Sequence, residues 1–288
     1  MSRDTQSHSR PCRRAFLSGL GAAGVGAVVA STATARSSRG GFPPERHTEW
    51  SEPAALGDGE VRTFETVAPS GKPLFAGVEL TESAATMDAD EFAAADLVAL
   101  EFPGETVFEW LGLNWGPDGH GPPGVYDVPH HDIHFYLDPR EQIEAIPGVG
   151  FPPYESDEVY DEPIAEDQIP PEYFRTNYVV PQMGEHLFDA SAPEWAGPGE
   201  PSGEPFTHTH VWGHWDGDLN FNEPMITTEF FAGLEGDVTT PIAVPDRMPA
   251  AGYYPTAYTI SYHGNDGTYT VALESFQPFE ASTAVDDA

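Results

Sequence analysis

The sequence predicts an all-β fold, mostly antiparallel, arranged as a sandwich or barrel with one short helix and long Pro-rich loops. Three observations point there. Apolar residues alternate with polar ones in short runs instead of recurring every three or four positions. The 288 residues include 29 Gly and 29 Pro, enough for frequent turns yet below the share that marks low-complexity chains. Two of the longest runs are joined by Asp216-Gly217, the dipeptide that suits a type I′ hairpin turn. With 39% hydrophobic residues, among them 17 Phe, 11 Tyr and 6 Trp, the chain can bury one main core.

Residues 1–35 read as a twin-arginine export signal. Cys12-Arg13-Arg14-Ala15-Phe16-Leu17-Ser18 carries paired arginines followed by Phe and Leu. A weakly apolar stretch from Ala15 to Ala30 comes next, and Ala33-Thr34-Ala35 offers a small-x-small cleavage site. That stretch is short and only mildly hydrophobic for a membrane anchor. Cleavage after Ala35 is therefore expected, with release outside the cytoplasm, secreted or at the cell surface, and no remaining membrane contact. Cys12 is the only cysteine and leaves with the signal, so no disulfide or thiolate ligand is expected afterwards.

Residues 36–60 lack periodicity and read as a flexible lead-in to a β domain spanning 61–278. Within it, Val61 to Val67 and Pro73 to Thr86 read as strands around Ser70-Gly71-Lys72, and Asp88 to Ala95 as the one helix. Strand patterns resume at Leu97 to Phe102, Val107 to Trp115 and Ile133 to Leu137. A rigid Gly/Pro loop, 116–124, lies among them. Residues 139–172, acidic and Pro-rich, form a long loop, a length usual for functional or mobile segments. After a short strand, Tyr178 to Val180, the hairpin Phe206–Trp215 and Asp218–Phe231 follows. Ala257 to Tyr262 and Tyr269 to Phe276 make a second hairpin, and 279–288 reads as a disordered tail.

Lys and Arg number 12 against 47 Asp and Glu, a formal charge of −35. Cleavage would remove four Arg and one Asp, leaving −38 on 253 residues. This balance excludes the basic footprint of a nucleic-acid or anionic-membrane binder. Lys72 is the only lysine. Self-repulsion on this scale is screened at high salt, so the composition reads as halophilic and archaeal, with the acids forming a solvated surface.

Chemistry concentrates in the histidines. His120, His130, His131, His134, His186, His208, His210 and His214 fall within fewer than a hundred residues. Strand alternation puts His130, Asp132, His134 and Tyr136 on one face and His131, Ile133 and Phe135 on the other. Neighbours two apart lie about 6.5 Å apart and can share an ion, whereas residues four apart lie about 13 Å apart. One metal can therefore be shared by His130 with Asp132 or by Asp132 with His134. In the hairpin, a two-residue turn pairs Trp215 with Asp218, which would set Glu223 opposite His210 and Met225 opposite His208. His208, His210 and Glu223 would then converge as two imidazoles and a carboxylate. Such a set suits a divalent transition metal, Zn, Mn, Fe or Ni. A cupin-like site has similar ingredients, although its Glu follows the His-x-His much sooner. His186, after Gly184-Glu185, can bring a further imidazole. No Gly-x-Ser-x-Gly, phosphate loop or dinucleotide fingerprint is present.

The blocks Gly119-His120-x-Pro122-x-Gly124-x-Tyr126-Asp127-Val128-Pro129-His130-x-Asp132-x-His134-Phe135-Tyr136, Met183-Gly184-x-His186, Phe206-Thr207-His208-Thr209 and Glu223-Pro224-Met225-Ile226-Thr227 resemble an uncharacterised family of exported bacterial and archaeal proteins, typified by a hypothetical Thermus protein of unknown function. The likeness spans residues 73 to 276. It implies a small, mostly β fold able to form homo-oligomers, with His130, Asp132, His134, His186 and Glu223 as the motif positions, and it implies no activity. His131 stands where relatives would carry an aromatic, and His210 and His214 are particular to this chain.

Two functions fit these residues. In one, an exported β protein binds a divalent transition metal through His130, Asp132, His134, His186 and Glu223, with His208 and His210 nearby, and its enzymatic status stays open. In the other, a secreted or envelope protein without catalysis uses the same residues as a hydrogen-bond network that fixes loops. A carbohydrate-acting enzyme, with Trp110, Trp115, Trp212 and Trp215 as stacking platforms, ranks below both because paired acids mean little in so acidic a chain.

Overall fold

The alternating runs become strands that pair in two sheets. The computed structural model describes residues 34–36, 42–90, 95–147 and 162–282. In chain order, with two-residue to ten-residue strands, its elements are β1 (Thr34–Arg36), β2 (Thr48–Trp50), β3 (Ala54–Leu56), β4 (Gly59–Val67), β5 (Pro73–Thr81), α1 (Glu82–Ala85), β6 (Ala95–Glu101), β7 (Trp110–Gly116), β8 (His130–Tyr136) and α2 (Arg140–Glu144). They continue with β9 (Tyr173–Val180), β10 (Gly184–Asp189), β11 (Trp195–Gly197), β12 (Glu200–Pro201), β13 (His208–Trp215), β14 (Asp218–Thr227), α3 (Thr228–Gly233), β15 (Asp237–Pro241), β16 (Gly252–Tyr254), β17 (Ala257–His263), β18 (Thr268–Glu274) and β19 (Gln277–Phe279).

One sheet runs β1-β15-β17-β18-β5-β4-β2, with β3 also on β4, and the other β6-β7-β8-β14-β13-β10-β9. Neither order closes on itself, so the architecture is a sandwich and not a barrel. Val78, Leu80, Ile260, Val271 and Leu273 of the first sheet share one core with Leu111, Leu113, Ile133, Phe135, Leu187 and Trp212 of the second. The opposite face of the second sheet is also closed. Trp110, Tyr136, Phe188, Val211, Phe221 and Met225 there pack under Val125, Tyr126, Ile143, Ile146, Trp195 and Phe206 from loops and short elements. A strand buried on both faces is the result, and every residue of β8 is buried.

Several expectations shift. In place of one helix at Asp88 to Ala95 the described residues hold three short ones, α1, α2 and α3, with Asp88 to Asp90 in a turn. Asp88 caps a turn by accepting from the Asp90 N–H at 2.8 Å, β6 begins at Ala95, and 91–94 lie outside the described residues. The lead-in is not structureless throughout, since β2 and β3 pair with β4. The run Asp218–Phe231 splits at Thr227, whose hydroxyl accepts from the Phe230 N–H at 3.1 Å and caps α3. Part of the tail is ordered as β19 and a bridge from Ala281 to Met248, while 283–288 are not described. Residues 1–33 lie outside the described residues, as does 148–161 of the acidic loop, whose remainder holds α2 and a short 3-10 turn, Glu166–Gln168.

The hairpin β13–β14 decides the site. Its turn is as expected, with Asp216 at φ 54° and Gly217 at φ 87°, and Trp215 pairs with Asp218 and His214 with Leu219. A β-bulge then intervenes: Asn220 is skipped and Gly213 pairs with Phe221. From there Val211, not His210, faces Glu223. A one-residue slip exchanges the faces, so Glu223 sits on the outer, loop-covered face while His208 and His210 point into the sandwich. Gly213 is required at this crossing, because a Cβ on it would fall within the Phe221 ring. Gly213→Ala should therefore cost about 1–3 kcal/mol of unfolding free energy by overpacking, read from urea unfolding of the full chain at fixed salt; unchanged stability would refute the tight crossing.

Candidate metal centre

The outer face of the second sheet can be mapped row by row from strand register. Gly112 pairs with His134 and Asn114 with Asp132 across β7 and β8, and Gly116 with His130. Between β8 and β14, Asn222 pairs with Phe135, Met225 with Asp132 and Thr227 with His130, which sets Glu223 level with His134. On the far side, His186 of β10 pairs with Gly213. Four chain segments, the 116–124 loop, β8, β10 and β14, thus deliver His120, His130, Asp132, His134, His186 and Glu223 to one face. The last five are those singled out in the motif blocks.

They fall into two groups of three, and within each the ligand-capable atoms all lie within 4.8 Å of one another. In the first, Asp132 Oδ1 lies 2.9 Å from His130 Nε2 and 3.2 Å from His120 Nε2. In the second, Glu223 Oε1 lies 3.2 Å from His134 Nε2, and Oε2 lies 3.5 Å from His186 Nε2. Four ligands about 2.1 Å from a tetrahedral ion are separated by roughly 3.4 Å. Each group can therefore hold a metal ion, and each offers two imidazoles and one carboxylate.

Hydrogen bonding fixes the tautomer of the first pair. A carbonyl oxygen only accepts, so the 2.6 Å contact between His130 Nδ1 and the Val128 oxygen makes Nδ1 the donor. His120 Nδ1 donates likewise to the Gly121 oxygen at 2.8 Å. In a neutral His130, Nε2 then presents its lone pair to the Asp132 carboxylate, and the contact lacks hydrogen-bond geometry. Two lone pairs facing each other out of water are unfavourable unless a cation lies between them. In the second group, His134 Nε2 and Glu223 Oε2 are likewise buried without a hydrogen bond.

Electrostatics agree with neutral imidazole donors in the second group. Burial, together with like charge from neighbouring histidines, depresses His134 to about 4 and His186 to about 3. Burial, and secondarily the Asp132 charge, pushes the Glu223 carboxyl well above its usual range. Burial also acts against an ionised Asp132, but His130 and His120 outweigh it and hold that carboxyl low. One site thus favours the carboxylate form, and burial pushes the other toward its protonated form unless a cation compensates.

His208 and His210 are not part of either group. They occupy the inner face, where His208 Nδ1 meets Tyr258 Oη at 2.7 Å. His210 Nδ1 meets Tyr173 Oη at 3.0 Å, and that hydroxyl donates onward to the His210 carbonyl at 3.1 Å. The expected trio with Glu223 fails because of the bulge, not because the hairpin was misplaced. His120 was not assigned to a ligand set from sequence, although its place in the stiff 116–124 loop, shortly before β8, was the available signal. Trp110, Trp115 and Trp212 are buried in the cores, which removes three of the four stacking platforms a carbohydrate-acting enzyme would use. Among the described residues no helix is long and apolar enough to cross a membrane.

No family model matches the chain, and no characterised protein or solved structure is significantly similar to it. The chemistry therefore rests on the residues themselves.

The inner histidines make a prediction about stability. Burial lowers His208 to about 4 and His210 to about 3 from 6.5. The unfolded chain takes up their protons first, so the folded state loses stability as pH falls below about 6.5, by up to about 1.4 kcal/mol per pH unit for each. Urea unfolding of metal-free protein from pH 7 to 4.5 should show this decline, and His210→Gln should make it shallower. A slope unaffected by His210→Gln would refute the assignment.

Proposed function

We propose that the chain is an exported metal-binding protein that holds divalent transition ions at His120, His130 and Asp132 and at His134, His186 and Glu223. The observation that carries this reading is that His130 Nε2 lies 2.9 Å from a buried Asp132 oxygen without hydrogen-bond geometry. A cation is the partner that both atoms lack. Two imidazoles with one carboxylate favour Zn, Mn, Fe or Ni over the oxygen-preferring Mg and Ca. Three protein ligands also leave coordination positions open, as catalytic metal sites require.

A second reading has support at the first group alone. His120 has a carbonyl at Nδ1 and Asp132 at Nε2, as it would in a hydrogen-bonded clamp fixing the loop that precedes β8. Elemental analysis of the mature protein purified in high salt separates the two. Near-stoichiometric metal that falls in both His130→Ala and His134→Ala supports two centres. Loss confined to His134→Ala assigns the first group to the clamp. A native protein that is empty and fails to take up added Zn, Mn, Fe or Ni refutes the metal reading altogether.

Export through the twin-arginine route is part of the proposal and rests on the Arg13-Arg14 block and the Ala33-Thr34-Ala35 site. Replacing both arginines by lysine should leave an unprocessed precursor inside the cell, seen by fractionation and intact mass. Normal export of that variant would refute this route.

A further inference from the structure

The second group has a neighbour that the metal reading leaves unused. Tyr136 lies two residues beyond His134 on the same face of β8, and its ring is held parallel to the imidazole, with centroids 5.4 Å apart and an interplanar angle of 7°. Trp110 stacks on the Tyr136 ring with centroids 4.2 Å apart, and Phe221 meets it edge-on at 5.6 Å. The phenol thus points out from the sheet alongside the His134 ring. Tyr136 is 0% exposed, and its hydroxyl has no hydrogen-bond partner. Buried tyrosine hydroxyls normally find one.

Glu223 Oε2 is buried without a hydrogen bond in the same surroundings. An unmatched donor on Tyr136 and an unmatched acceptor on Glu223 therefore stand in adjacent rows of one closed face, beside His134 of β8 and His186 of β10. Phe221 lies 5.0 Å from the His134 ring and 5.1 Å from the His186 ring, and Phe188 flanks His186 at 6.3 Å. These aromatic walls enclose the group and offer a ligand little hydrogen bonding apart from the phenol.

We propose that Tyr136 donates a hydrogen bond to a small oxygen-donor ligand, such as water or a carboxylate, in the open coordination position of the His134, His186 and Glu223 centre. The inference rests on the metal reading above and adds the class of ligand that this centre takes. A phenol O–H selects an acceptor, and the enclosing rings select small size. Tyr136 is accordingly a ligand-positioning residue.

The test uses full-length mature protein loaded with Co(II), whose visible bands report the coordination sphere. Bands belonging to this centre are those lost in His134→Ala. Titration with acetate should perturb them in the wild-type chain. In Tyr136→Phe, Co(II) loading should persist while acetate binding weakens about 10- to 100-fold, the range for losing a hydrogen bond to a charged group. Metal-free Tyr136→Phe should melt no lower than wild type, because the hydroxyl has no protein partner to lose. Equal acetate affinity in the two proteins, or a lowered melting temperature of the metal-free variant, would overturn the inference and leave the metal reading standing. Failure of the wild-type chain to take up Co(II) would overturn both.

Discussion

The arrangement depends on keeping two carboxyl groups and four imidazoles on a sheet face that loops have sealed from water. An ionised carboxylate left there without a partner would be strongly disfavoured. The chain meets this in two different ways. Asp132 sits between His130 and His120, whose charge, together with the His120 hydrogen bond, holds its carboxyl low. Glu223 has only depressed, neutral imidazoles nearby and is driven toward its protonated form. The two groups therefore differ in the charge they carry before any ion arrives, despite having the same composition.

Rigid support comes from the strand that carries His186. Its neighbour Glu185 faces the other way and accepts from Arg175 Nε at 3.1 Å, from the Asn177 backbone N–H at 2.7 Å and from His214 Nε2 at 2.8 Å. That clamp ties β9, β10 and β13 together and holds Glu185 down to about 2, burial opposing and the His214 and Arg175 hydrogen bonds prevailing. On a strand, fixing one residue fixes the direction of the next, so an ordinary buried ion cluster on the inner face orients a candidate ligand on the outer one. His214, which sequence analysis grouped with the other histidines, thus serves this clamp and not a ligand set.

Much of the fold was legible because its signals are local. Alternation marked β4, β7, β17 and β18, and Asp216-Gly217 marked the hairpin turn. Alternation also put His130, Asp132 and His134 on one face of β8. The partners of that face were not legible, for physical reasons. The pairing of β8 with β14 joins residues about ninety apart, and nothing local encodes it. The bulge at Asn220 leaves no clear mark in composition, yet it reverses the face of every residue beyond it. Sequence register consequently joined Glu223 to His208 and His210, when the same glutamate belongs with His134 and His186.

The surface charge and the buried donors have different parts in selecting an ion. A formal charge of −35 draws cations of every kind, but at molar salt its reach shrinks to about 3 Å, and carboxylates on the surface favour hard ions such as Mg and Ca. An acidic exterior therefore raises the local supply of cations without distinguishing among them. Discrimination has to come from nitrogen, and burial lowers the proton affinity of His134 and His186. The same desolvation that makes Glu223 costly to ionise thus prepares His134 and His186 as donors. Two imidazoles and a carboxylate arranged this way would favour a transition ion over hard cations.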